Sequence, residues 1–84
     1  MEFIAKKGEV LIMNEDETYF VLATHEYEGE CYLHLIKTGE HILDVNYEVD
    51  LKSSVYAKEV VDENDNYFLD FVTDENLLKV LKTL

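Results

Sequence analysis

Short apolar runs separated by turn residues are the feature that most constrains the fold of this chain. The runs recur at intervals of about ten residues and are rich in β-branched and aromatic side chains, as is typical of strands. They occupy residues 8–13, 19–27, 30–37, 41–50, 55–62 and 66–72. Because consecutive strands joined by short turns pair antiparallel, this spacing predicts a small β meander.

The apolar period changes after the last of these runs. Thr73 is a suitable N-cap, and Asp74 and Glu75 follow in the first turn, where the helix dipole favours negative charge. Apolar residues then recur at the spacing of one helix face, at Leu77, Val80, Leu81 and Leu84. We therefore expect fold class α+β, with a small antiparallel β meander packed against one short C-terminal amphipathic helix.

Net charge narrows the range of binding partners. The chain of 84 residues carries 19 Asp and Glu against 7 Lys, has no Arg, and has a net charge of −12. Nucleic acids and anionic membranes require a basic surface, so we expect direct binding to neither. The hydrophobic fraction of 48% is that of a folded protein. We expect a single small acidic domain spanning residues 1–84.

Cysteine content and the N-terminal sequence predict the compartment. Cys31 is the only cysteine, so no intramolecular disulfide can form. Secreted domains of this size usually depend on disulfides. The stretch "MEFIAKKGEV" lacks the apolar core of a signal peptide, and no apolar run approaches the length of a membrane span. We expect a cytoplasmic protein.

A run of carboxylates and carboxamides at residues 62–66 has two possible interpretations. Asp62, Asn64 and Asn66 match the first three ligand positions of an EF-hand calcium loop. The Gly and Glu that the loop next requires are replaced by Tyr67 and Thr73. Asn and Asp also favour turns, because they bond their own backbone and tolerate left-handed conformations. We expect a hairpin turn, with a weak cation site as the alternative.

Pairing across the Glu28–Gly29 turn decides whether the histidines and the cysteine can act together. A two-residue turn places His25 opposite Tyr32, so that His25 and His34 share one face of the sheet. Cys31 points to the other face, which we expect it to share with Phe20, Leu22, Leu33 and Leu35. A ligand set divided between two faces cannot close around one zinc ion. We expect no metal, no cofactor and no catalytic pair, and hence a protein that is not an enzyme. A metal site at His25 and His34 is a minor alternative.

The six tyrosines suggest a binding surface. They exceed what a single core layer needs, and Tyr is enriched at protein interfaces. We expect some of them on the sheet face away from the helix, where His25, Tyr32 and His34 form a possible partner face. The leading hypothesis is a non-enzymatic protein–protein interaction module. Its partner would be an unidentified protein or a second copy of the chain.

Clustered acidic residues support a second hypothesis. Asp44, Glu48 and Asp50 alternate with apolar residues in the stretch "HILDVNYEVD", so they form a possible acidic face of one strand. Such a row could mimic the phosphates of a nucleic acid. The alternative function is therefore a nucleic-acid-mimicking inhibitor of a basic DNA- or RNA-binding enzyme.

Two stretches resemble a known family. "YEGECYLHLI" is similar to the turn and strand of the YrzB-like proteins, a small acidic family of Gram-positive bacteria whose function is unknown. "VVDENDNYFLDFVTDENLLKVLKTL" resembles the acidic hairpin and Leu-rich final helix of that family. Together the stretches cover about half of the chain, which departs from the family between Thr38 and Ser54. The resemblance implies a bacterial, cytoplasmic protein and supplies no activity, cofactor or catalytic residue.

Overall fold

The computed structural model describes residues 2–38 and 54–84 of the chain. These residues form β1 (Val10–Asn14), β2 (Glu17–Tyr27), β3 (Glu30–Thr38), β4 (Val55–Val61), β5 (Tyr67–Phe71) and α1 (Glu75–Lys82). The predicted strand at residues 41–50, with the possible acidic face at Asp44, Glu48 and Asp50, lies outside the described residues.

The five strands form one curled antiparallel sheet. Their order is β1-β2-β3-β4-β5, so each strand pairs with the next one in the chain. The ring centroids of Tyr19 in β2 and Phe71 in β5 lie 5.6 Å apart although β3 and β4 separate the two strands. This contact requires the sheet to curl, giving it a concave and a convex face. The predicted antiparallel meander with a C-terminal helix is confirmed.

The predicted register of β2 and β3 is confirmed near their turn. Glu28 and Gly29 have φ values of 50° and 79°, the conformation of the two-residue turn that best matches strand twist. Glycine reaches this conformation without a steric penalty. The pairing runs from Tyr27 opposite Glu30 to Ala23 opposite His34.

A β-bulge changes the register farther along β2. The pairing shifts between Val21 and Ala23. Beyond the shift, Val21 pairs with Leu35 and Phe20 pairs with Ile36. The prediction that Phe20 shares the face of Cys31 is therefore wrong. An extra residue in one strand reverses which face each following side chain occupies.

The concave face holds the larger apolar cluster. Its buried members are Ala5, Tyr19, Val21, Leu33, Leu35 and Ala57. The N-terminal segment, residues 2–9, covers this face by packing Phe3 and Ala5 against the cluster. The Glu59 carboxylate holds the segment in place by accepting hydrogen bonds from the backbone N–H groups of Ile4 (3.1 Å) and Ala5 (2.9 Å).

The helix packs on the convex face, which is also the face of the histidines. Leu81 of α1 is fully buried in one cluster with Tyr32 and Tyr56, and Leu77 and Leu78 pack against that cluster. The expectation that His25, Tyr32 and His34 lie on the sheet face away from the helix is therefore wrong, whereas Tyr19 does lie on that other face. The predicted stripe is confirmed at Leu77 and Leu81, whereas Leu84 lies beyond α1 and is 55% exposed. The stripe carries no information about which sheet face receives the helix.

The helix begins one residue later than the sequence predicts. Asp74 is the N-cap, and its side chain accepts hydrogen bonds from the N–H groups of Asn76 (2.8 Å) and Leu77 (3.1 Å). The assignment of Thr73 as N-cap is wrong. Asp and Thr are both suitable caps, so their order in the chain does not decide between them.

Candidate functional site

Two of the three residues of the predicted partner face come together around Tyr56. The His34 ring stacks on Tyr56 with a centroid distance of 4.4 Å and an interplanar angle of 2°. The His25 ring lies 6.2 Å from Tyr56 at an angle of 37°. Both histidines are half-buried, whereas Tyr32 is only 8% exposed because it packs in the cluster with Leu81. Tyr32 therefore contributes to the core under the helix.

Burial favours the neutral form of His34. It lowers the pKa of His34 from 6.5, and the charge of His25 lowers it further. His34 Nε2 lies 2.7 Å from Ser54 Oγ, so the neutral ring shares a hydrogen bond with the hydroxyl. Burial also raises the pKa of the stacked Tyr56. The stack of His34 on Tyr56 therefore favours neutral forms of these two rings near pH 7.

Cys31 lies on the opposite face from the histidines and under the N-terminal segment. Its Sγ is 4.0 Å from the backbone oxygen of Glu2. Burial raises the pKa of the thiol, and the charge of Glu59 adds to the effect. A thiol with a raised pKa is a weak nucleophile at neutral pH. In the described part of the chain, no group of three or more His, Cys, Asp or Glu side chains could hold a metal ion.

The carboxylate-rich stretch at residues 62–66 forms the turn between β4 and β5, which confirms the predicted hairpin. Asp62 Oδ1 accepts hydrogen bonds from the N–H groups of Asn64 (2.8 Å) and Asn66 (2.9 Å). The bond from Asn66 contributes most to lowering the pKa of Asp62. Asp65 adopts a φ of 62°, as turn residues with short polar side chains often do. These side chains stabilise the turn itself.

The outermost strands of the described sheet expose large apolar side chains that the sequence analysis did not identify. Ile12 of β1 is 76% exposed and Val10 is 45% exposed. On β5, Phe68 is 44% exposed and Phe71 is 38% exposed. Alternation along a short strand predicts two different faces, but it does not tell which side chains another element will cover. The exposure of Ile12 could therefore not be read from the run "GEVLIM".

Carboxylates frame β1 at both ends. The strand itself, "VLIMN", has no charged residue. Glu9 precedes it, and Glu15, Asp16 and Glu17 follow in the turn to β2 and at the start of that strand. Asn14 Nδ2 donates a hydrogen bond to Glu17 Oε1 at 3.1 Å, which helps to close this turn. The result is an apolar strip with an acidic group at each end.

No family model, no curated protein and no solved structure matches this chain. The resemblance to the YrzB-like proteins stays a prediction. Within residues 2–38 and 54–84, no helix has the length and apolar character needed to cross a membrane.

Proposed function

We propose that the protein is a non-enzymatic binding module for another protein and that it acts in the bacterial cytoplasm. The observation that carries the proposal is the exposure of large apolar side chains on the outermost strands, led by Ile12 at 76%. Exposed apolar patches on small soluble proteins commonly mark sites of association. These exposed residues of β1 and β5 are not the residues of the predicted partner face, of which Tyr32 is buried beneath α1.

Energetics support this interpretation. Burying a Val, Ile or Phe side chain is worth about 1.5–3 kcal/mol, and a chain of this size has little core to spare. Side chains left in water on β1 and β5 are therefore a source of binding free energy that the isolated fold does not use. The net charge of −12 keeps the isolated protein soluble despite these residues.

The alternative proposal is a nucleic-acid mimic, which the net charge of −12 supports. Such a protein would bind the basic groove of a DNA- or RNA-processing enzyme mainly through charge. Its binding would weaken steeply as salt is added, whereas binding through apolar side chains would persist. Salt dependence therefore separates the two proposals.

The test compares capture of partners from a bacterial lysate by three forms of the full chain at low and high salt. These are the wild type, the double variant Ile12→Ser/Phe68→Ser, and the control Leu84→Ser, which changes an apolar residue that is 55% exposed but lies beyond α1. We expect a partner that is retained at high salt, lost with the double variant and kept by the control. A basic partner lost at high salt and indifferent to the double variant would instead support the mimic.

A further inference from the structure

We infer that the outer edge of β1 binds a strand added by the partner, and that this strand is an apolar extended segment flanked by Lys or Arg. The inference rests on the proposed function and names its site and the chemistry of its partner. Two described features carry it: the direction of the backbone groups of β1 and the charge around the strand.

The backbone direction follows from the hydrogen bonds between β1 and β2. Val21 accepts a bond from Gly8 N–H and donates one to the Glu9 carbonyl, both at 2.9 Å. Bonded pairs alternate along an antiparallel ladder, and Leu11 opposite Tyr19 is therefore the next bonded pair.

Val10 and Ile12 fall between the bonded positions. Their N–H and C=O groups consequently point away from β2, toward the outer edge of the sheet. Of the strands that the structure describes, none pairs with β1 on that side. An extended peptide could bind there by the same ladder that joins the other strands, at a spacing of about 4.8 Å.

The side chains of β1 favour an apolar occupant. Val10 and Ile12 lie on one face beside the edge and are 45% and 76% exposed. Many proteins protect an outer strand with Lys, Pro, an inward-pointing charge or a β-bulge. The strand "VLIMN" contains no Lys, Pro or charge, and its register shift between Ile12 and Asn14 comes after the two exposed residues. A partner strand with apolar side chains at alternate positions would cover both residues.

Charge complementarity favours a basic occupant over a second copy. In a symmetric antiparallel pair of β1 strands centred on Ile12, Glu9 of one copy would lie beside Glu15 of the other at both ends. Like charges in these positions destabilise a strand pair, and each copy also carries a net charge of −12. Lys or Arg at the ends of a foreign strand would instead face Glu9 and the acidic turn.

The test uses the full ¹⁵N-labelled chain and an acetylated synthetic peptide of sequence Lys-Lys-Val-Thr-Val-Thr-Val-Lys-Lys. We expect amide shifts centred on β1 and slower hydrogen exchange at Val10 and Ile12, by about tenfold or more, with Leu11 little affected because its N–H is already bonded. A peptide with Glu in place of Lys should bind more weakly, and one with Pro at its central Val should fail to bind. Equal binding of the Glu peptide, or shifts centred elsewhere, would overturn the inference.

Variants of Ile12 test the backbone contact. Ile12→Pro removes an N–H that points outward, so it should abolish peptide binding while β1 stays paired with β2. Ile12→Val keeps the N–H and should retain binding. Thermal unfolding of both variants shows whether each is folded. If the Pro variant is unfolded, the amide shifts of the wild-type protein with the peptide serve as the test of the inference. Peptide binding by a folded Ile12→Pro protein would contradict the inference.

The edge inference and the proposed function can fail separately. A lysate partner that is lost with Phe68→Ser and unaffected by Ile12→Pro would overturn the β1 edge and leave the binding module in place. A partner that is insensitive to both changes would overturn the proposed function as well.

Discussion

At the scale of single residues, Glu59 joins parts of the chain that are far apart in sequence. Its carboxylate accepts hydrogen bonds from the backbone of Ile4 and Ala5 and, at 2.7 Å, from the hydroxyl of Tyr67. Burial and this bond to Glu59 raise the pKa of Tyr67 well above 10.0. One half-buried side chain thus connects the N-terminal segment, β4 and β5.

We predict that Glu59→Ala lowers the free energy of unfolding by about 2–4 kcal/mol. Hydrogen bonds to a charged group are worth about 1.5–3 kcal/mol each, and partial exposure of Glu59 reduces their sum. Urea denaturation measures the change. Glu63→Ala is the matched control, since Glu63 is exposed in the β4–β5 turn and should change stability by less than about 0.5 kcal/mol. Equal effects of the two changes would show that Glu59 does not hold the N-terminal segment.

His34 makes stability depend on pH. Its folded-state pKa lies below the value of 6.5 expected when it is unfolded, because burial and then the charge of His25 disfavour the protonated ring. The unfolded chain therefore binds protons more readily, and the contribution of His34 to stability is present above pH 6.5 and is lost as the pH falls toward the folded pKa.

We predict that the urea midpoint of the wild type falls more steeply between pH 7 and pH 5 than that of His34→Phe. Phe keeps a ring for the stack on Tyr56 and removes the titrating group. For His25→Gln the urea midpoint should still fall between pH 7 and pH 5, but by less than in the wild type. This change removes the secondary cause of the lowered pKa of His34. Identical pH profiles for wild type and His34→Phe would contradict the assignment.

At the scale of elements, the sequence predicted local features better than their arrangement. The Glu28–Gly29 turn was sufficient to predict the pairing of β2 with β3 as far as Ala23, because a two-residue turn determines the register that follows it. The bulge beyond Ala23 was missed, since any residue can form one when the curl of the sheet requires it. The exposure of Ile12 was missed because it depends on contacts between elements.

The start of α1 offers a sharp test at this scale. We predict that Asp74→Ala costs about 1 kcal/mol of stability, because it leaves two N–H groups of the first helical turn without their side-chain acceptor. Thr73→Ala should cost much less, since Asp74 is the N-cap. Chemical denaturation of the two variants measures both values. A larger loss of stability for Thr73→Ala than for Asp74→Ala would indicate that Thr73 is the N-cap, as the sequence predicted.

At the scale of the whole molecule, charge opposes compactness. A net charge of −12 spread over a chain of 84 residues gives repulsion that unfolding relieves. The same repulsion discourages association between copies, so a partner of opposite charge has an advantage over a second molecule of this protein.

We predict that salt stabilises the protein in the dilute range. Between about 0.01 M and about 0.1 M, the screening length falls from about 30 Å to about 10 Å, and the urea midpoint should rise. The double variant Glu15→Gln/Asp16→Asn removes two exposed negative charges. Its urea midpoint should therefore rise less over the same range of salt concentration. A midpoint that falls with salt would indicate that attractive pairs outweigh repulsion.

The bond between the N-terminal segment and Glu59 also bears on the order of events at the ribosome. Ile4 and Ala5 are synthesised 55 and 54 residues before the carboxylate that holds them. At synthesis rates of about 5–20 residues per second, Ile4 and Ala5 emerge roughly 3–11 s before that carboxylate. Neighbouring strands can pair as soon as the second of them emerges, whereas residues 2–9 must return to a sheet that is synthesised after them. Until they return, the apolar cluster that Phe3 and Ala5 cover stays exposed, and exposed apolar surface on a nascent chain is what chaperones bind.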